Sequence, residues 1–100
     1  MKEYKTFKDL EFLPHILNSG VHAVLQFDNG YTASVICDTS FYSNGIDTYE
    51  IACVKDGHCI YPNGTSFEDD VCGYRTEEEI TELMKEIQDL PPVRKESLTN

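Results

Sequence analysis

One hundred residues with eighteen acidic and eight basic side chains, a formal charge of −10, allow one domain with one core and exclude the electrostatic footprint of a nucleic-acid or anionic-membrane binder. No apolar run reaches the length of a membrane span and the N-terminus lacks a leader pattern, so a cytosolic chain with cationic or neutral partners is expected.

The first segment has two readings. Phe7, Leu10 and Leu13 recur three apart, and Thr6 with Asp9 would cap a short helix; alternatively Leu10 to Leu17 forms a strand, kept at an edge because Pro14 offers no N–H. Asn18-Ser19-Gly20, Asp28-Asn29-Gly30 and Lys55-Asp56-Gly57 each put glycine third between apolar alternating stretches, which predicts three hairpin loops ending on a left-handed residue. Closing Asp28-Asn29-Gly30 with Phe27 opposite Tyr31 sets Leu25 opposite Ala33, Ala23 opposite Val35 and Val21 opposite Cys37, one wholly apolar face. A two-residue Asn29-Gly30 loop would turn one strand's apolar residues to the wrong side. The same three-residue rule sets Val54 against His58, Cys53 against Cys59 and Ile51 against Tyr61.

Between the hairpins, Asp38 to Asp47 is rich in turn formers and holds Phe41 and Tyr42 side by side, either as contact anchors or with one ring folded back over the core. Asn63 to Asp70 is a second long connection, and Val71 to Arg75 reads as a short strand. Thr76 to Leu90 is an amphipathic helix: Thr76 and Glu79 form a capping box, and Ile80, Leu83, Met84, Ile87 and Leu90 make one stripe. Burying five such side chains is worth about 10 kcal/mol before chain entropy, which requires the helix to dock. Pro91 and Pro92 stop it. The expected fold is α+β, an antiparallel meander of about five strands with the C-terminal helix across one face; residues 1–92 form the domain and 93–100 a flexible tail. A sheet this small leaves edges that a second copy would cover, so a homodimer is an open expectation.

Little in the chain points to chemistry. Cys37, Cys53, Cys59 and Cys72 contain no C-x-x-C pair, so neither a zinc site nor a metal cofactor is expected, and four small buried thiols are the expectation. A Cys53–Cys59 bond is geometrically conceivable across the second hairpin. His15, His22 and His58 are scattered, with His22 on a solvent face; Asp69-Asp70 reads as a solvated turn, and the glycines serve hairpins rather than a phosphate loop. A non-enzymatic protein is expected. Lys2, Lys5 and Lys8 are too few for a nucleic-acid surface. Glu77, Glu78, Glu82, Glu86 and Asp89, with Lys85 the lone cation, form an acidic ridge suited to a basic groove on another protein.

Thr6 to Phe12 (TFKDLEF) with Pro14-His15, Phe27 to Tyr31 (FDNGY) with Ser34-Val35, Tyr49 to Val54 (YEIACV) and Asp69 to Leu90 together resemble a family of small uncharacterised bacteriophage and prophage proteins. The chain departs from that pattern at Leu13 to Ser19 and in the Asp38 to Asp47 loop. The resemblance implies a stoichiometric inhibitor of a host anti-phage defence protein, working in the host cytoplasm by binding. Phe41 and Tyr42, or Glu78, Glu82 and Glu86, would make the contact with a basic or neutral surface. One alternative is a sponge for a nucleotide immune signal, for which Tyr61, Tyr74 and Arg75 are the visible start. Another is a virion structural module pairing through strand edges.

Overall fold

The computed structural model describes residues 3–14 and 20–93. Six strands follow in chain order: β1 (Leu13–Pro14), β2 (Val21–Gln26), β3 (Thr32–Cys37), β4 (Tyr49–Lys55), β5 (His58–Ile60) and β6 (Val71–Arg75), before one helix, α1 (Glu77–Gln88). All pairings are antiparallel, in the order β1-β2-β3-β4-β5, and β6 also pairs with β4. The chain is thus α+β, as its pattern predicts. β4 is hydrogen-bonded along both edges: β3 takes one, while β5 takes the C-terminal half and β6 the N-terminal half of the other.

The β2–β3 hairpin has the register demanded by its apolar pattern, with Val21 opposite Cys37, Ala23 opposite Val35 and Leu25 opposite Ala33. Phe27 N–H donates to Tyr31 O at 2.8 Å and Gly30 N–H to Phe27 O at 3.0 Å, with Gly30 at φ +94°. The β4–β5 hairpin departs from expectation. Lys55 pairs with His58, Val54 with Cys59 and Cys53 with Ile60, leaving only Asp56 and Gly57 in the loop. Both have positive φ, +53° and +79°, the type I′ turn that Asp-Gly favours because its twist matches the strands. The one-residue shift puts Cys53 and Cys59 on opposite faces, so no bond joins them. Cys37, Cys53 and Cys72 are buried free thiols, but Cys59 is exposed, correcting the expectation of four buried ones.

The N-terminal segment realises parts of both readings. Phe7–Asp9 is a single 3-10 turn whose Asp9 carboxylate accepts the Thr6 N–H at 2.8 Å, and the strand is cut to Leu13 and Pro14 at the sheet edge. Phe7 and Phe12 instead pack on Tyr49, with ring centroids 4.9 and 5.7 Å from it. Asn18 and Ser19 of the first expected loop, His15, and the tail from 94 lie outside the described residues. Val93, assigned to that tail by the sequence pattern, is half-buried and donates its N–H to Asn29 O at 2.8 Å.

Helix α1 begins as its sequence dictates. Thr76 Oγ1 accepts the Glu79 N–H at 3.2 Å and Glu79 Oε1 accepts the Thr76 N–H at 2.8 Å, while Ile80, Leu83, Met84 and Ile87 are buried on the sheet. It ends two residues earlier than the stripe suggests, with Leu90 half-buried beyond a closing turn. Its end is capped from afar: Asn29 Nδ2 donates to the carbonyls of Ile87, Gln88 and Leu90 at 2.9, 3.3 and 3.2 Å. The tip of the first hairpin therefore satisfies acceptors that a helix terminus leaves open.

Burial, with a smaller push from Cys59, raises the Cys53 thiol from its ordinary 9.0 to about 11. The unfolded chain therefore loses that proton at a pH where the folded chain keeps it, and stability falls as pH rises between those values, by at most about 1.4 kcal/mol per unit. Tyr49, raised by burial and then by Cys37, Glu77 and Asp47, extends the loss at the alkaline end. Denaturant midpoints measured across this window should fall with pH, and less steeply in Cys53→Ala; a flat wild-type profile would refute the shift. A thiol reagent should meet one fast group, Cys59, in the folded chain and four after unfolding.

Candidate functional site

Partners across an antiparallel register share a face, so the two sides of the sheet can be read row by row. The side facing α1 carries Ala23, Val35, Ile51 and Cys72, all buried. Among the described residues no helix covers the other side. Its rows are Leu13, His22, Ile36 and Glu50; then Val24, Ser34, Ala52 and Val71; then Gln26, Thr32, Val54 and Cys59. One formal charge stands among these twelve, in a chain where 26% of residues are charged. That one, Glu50, is buried, and its Oε1 accepts the Tyr42 N–H at 3.2 Å. His22 lies here too, a ring nitrogen 3.0 Å from Ser34 Oγ.

Tyr42 reaches this side because the 38–48 loop is built by its own polar residues. Asp38 is buried, accepting the Ser40 N–H on Oδ1 at 2.8 Å and the Gly20 N–H on Oδ2 at 3.3 Å. Ser43 Oγ donates to Thr48 O at 2.6 Å, and Asn44 Oδ1 accepts the N–H groups of Ile46, Asp47 and Thr48 at 2.8 to 3.0 Å. Phe41 is half-buried, whereas Tyr42 is exposed.

The loop meets β6 at a bulge, where two steps on β4, Tyr49 to Ile51, face three on β6, Cys72 to Arg75. Tyr74 takes φ +57°, a strained region for an aromatic residue, and its N–H donates to Tyr42 O at 2.9 Å. Gly73 lets the backbones approach: a Cβ there would sit 2.3 Å from Tyr42 Cβ. The Tyr42 and Tyr74 rings lie edge to face, centroids 6.4 Å apart. Leu13, Val24, Tyr42, Tyr61 and Tyr74 are each 56 to 60% exposed. The result is a sheet face whose one formal charge is buried, rimmed by aliphatic and tyrosine side chains, the make-up of a protein-contact surface.

The acidic residues lie elsewhere. Glu78, Glu82 and Glu86 line a groove of about 240 Å³ beside α1, with Ser66, Arg75, Glu79 and Leu83. Glu86 is engaged within the fold, accepting the Ser66 N–H at 2.5 Å and the Ser66 hydroxyl at 2.7 Å. Glu82 lies 3.6 Å from Lys85 and Arg75 Nη2 3.9 Å from Glu68. The structure therefore brings Tyr42 and Tyr74 together and groups Arg75 with the glutamates. It parts the two sets, because Arg75 pairs with Tyr49 on the core side of the sheet. Neither Tyr61 nor Tyr74 lines the Arg75 groove, and its four carboxylates oppose a phosphate. Among the described residues no group of three or more His, Cys, Asp or Glu is arranged to hold a metal ion, and no helix is long and apolar enough to cross a membrane.

Gly73, Glu50 and the open sheet face were not singled out from sequence. A glycine inside a predicted strand was the available signal, since it marks a bulge or a close backbone approach. The face needed the pairing of β6 with β4. No protein-family model matches the chain, and neither a curated protein nor a solved structure matches it.

Proposed function

We infer that the chain is a non-enzymatic binding protein, in keeping with its resemblance to phage proteins a stoichiometric inhibitor of a host defence protein in the host cytoplasm, and that it docks through the Tyr42–Tyr74 corner and the sparsely charged sheet face beside it. One observation carries this reading: Tyr74 holds a strained backbone that loop and bulge together maintain, and the outcome is two exposed rings fixed against each other. Rings already ordered before contact lose little entropy on binding, and tyrosine is a frequent binding hot spot. The acidic α1 groove sits on the other side of the sheet; it biases against polyanions and favours neutral or basic partners.

Capture from bacterial lysate, with the bound protein identified by mass spectrometry, provides the test. Tyr42→Ala combined with Tyr74→Gly, which suits the positive φ, should weaken capture about 1,000-fold, from two hot-spot losses of about 2 kcal/mol each. Glu78→Gln with Glu82→Gln should change it several-fold at most, with modest salt dependence. The reverse pattern, tyrosine loss tolerated and glutamate loss decisive, would move the contact to the acidic groove and overturn this docking surface. A melting-temperature rise with added nucleotides would favour the sponge instead.

A further inference from the structure

Asparagine followed by glycine invites attack of the glycine nitrogen on the asparagine side chain, because glycine has no Cβ to hinder the approach. The chain contains three such pairs, Asn29-Gly30, Asn44-Gly45 and Asn63-Gly64, and the structure treats them differently. At Asn29 the amide donates to three carbonyls, its oxygen accepts the Tyr31 N–H at 3.2 Å, and Gly30 N–H donates to Phe27 O. At Asn44 the oxygen accepts three backbone N–H groups, the amide donates to Asp47 Oδ1 at 2.8 Å, and Gly45 N–H donates to Ser43 Oγ at 2.9 Å. Both the attacking nitrogen and the attacked group are held at these two sites. Asn63 and Gly64 are exposed, and among the described residues neither the Asn63 side chain nor the Gly64 N–H has a hydrogen-bond partner.

We propose that Asn63 is a site of spontaneous deamidation in the folded protein, with the Gly64 amide nitrogen as nucleophile. That nitrogen gives its proton to hydroxide or buffer base and bonds to Asn63 Cγ. The Cγ–Nδ2 bond breaks, the departing nitrogen takes up a proton and leaves as ammonia, and a five-membered succinimide remains. Water adds to either ring carbonyl and opens one C–N bond, giving aspartate or, with the chain rerouted through the side-chain carbon, isoaspartate; nothing is oxidised or reduced. The new carboxylate stands in a depression shared with Ser66, Glu86 and Asp89, adding charge where two acids already lie. Isoaspartate also lengthens the turn that Thr65 Oγ1 closes by donating to Pro62 O at 2.7 Å, just before Ser66 clasps Glu86. Ageing at Asn63 therefore loosens the Ser66–Glu86 link and frees a carboxylate in the acidic groove.

Peptide mapping by mass spectrometry of the full chain, aged folded and in denaturant in the same mildly alkaline buffer, tests this. Folded, Asn63 should convert at least about tenfold faster than Asn29 or Asn44, whose groups react only after local opening; in denaturant the three should converge to within a few-fold. Asn63→Gln should remove the first acidic variant from ion-exchange profiles of the folded chain. Conversion at Asn29 or Asn44 as fast as at Asn63 in the folded chain would overturn the proposal, as would an inert Asn63 while the denatured chain reacts.

Discussion

Asn29→Asp should cost about 3 kcal/mol, lowering the melting temperature by about 15 °C in a domain of this size. The substitution is nearly isosteric, so packing is not the cause. Asn29 uses its amide nitrogen to donate to the carbonyls of Ile87, Gln88 and Leu90. A carboxylate has no proton to give and sets negative charge against the negative end of the helix dipole. The tie between the first hairpin and the end of α1 then becomes a repulsion. The aspartate's pKa should accordingly rise in the folded state, so the deficit is full at neutral pH and narrows on acidification as the protonated carboxyl regains a donor. Thermal melts of both proteins across the acidic range provide the check, and a pH-independent deficit would show that repulsion is not its source. Asn29→Ala, which deletes the donors and the Oδ1 acceptor but adds no charge, should be milder.

Gly73→Ala has the second large effect, and it couples stability to binding. The added Cβ would meet Tyr42 Cβ at 2.3 Å and Tyr42 O at 3.1 Å, so the 38–48 loop must move off the sheet. Overpacking of this kind costs about 1 to 3 kcal/mol. Displacing the loop also breaks the Tyr74 N–H bond to Tyr42 O and the Glu50 contact with Tyr42 N–H, leaving a buried carboxylate short of a donor. Partner capture should fall in parallel with the loss of the ring pair. Tyr42→Gly removes the atom that clashes, so adding it to Gly73→Ala should recover a large part of the stability and none of the capture. A double-mutant cycle in denaturant reads the first, and lysate capture the second. Additive stability losses would show that these two residues do not oppose one another.

The two hairpins show how far local pattern carries. At Asp28-Asn29-Gly30 the alternating apolar residues on both flanks agree on one register, and the observed pairs follow it. At Lys55-Asp56-Gly57 the flanks are apolar on both faces, since β4 is the central strand, and alternation cannot choose. There the Asp-Gly pair was the stronger signal, and the left-handed backbone at both positions follows from it. Helix α1 was legible because its cap, stripe and acidic first turn are all local. The contact surface was only partly so. Tyr42 was visible as an aromatic among turn formers and Tyr74 only as a neighbour of Arg75 in a short strand; they stand thirty-two positions apart and meet only through the bulge at Gly73.

By itself the sequence determined the class of fold, the start and inward stripe of α1, the register of the first hairpin and the acidity of the surface, because each depends on neighbours within a few turns of chain. Tertiary structure alone decided that β5 and β6 share one edge of β4, that Asn29 caps a helix some sixty residues later, and that the side of the sheet away from α1 carries a single formal charge, the buried Glu50. Those outcomes rest on long-range pairing, where the same alternating pattern satisfies more than one partner until backbone hydrogen bonds choose between them.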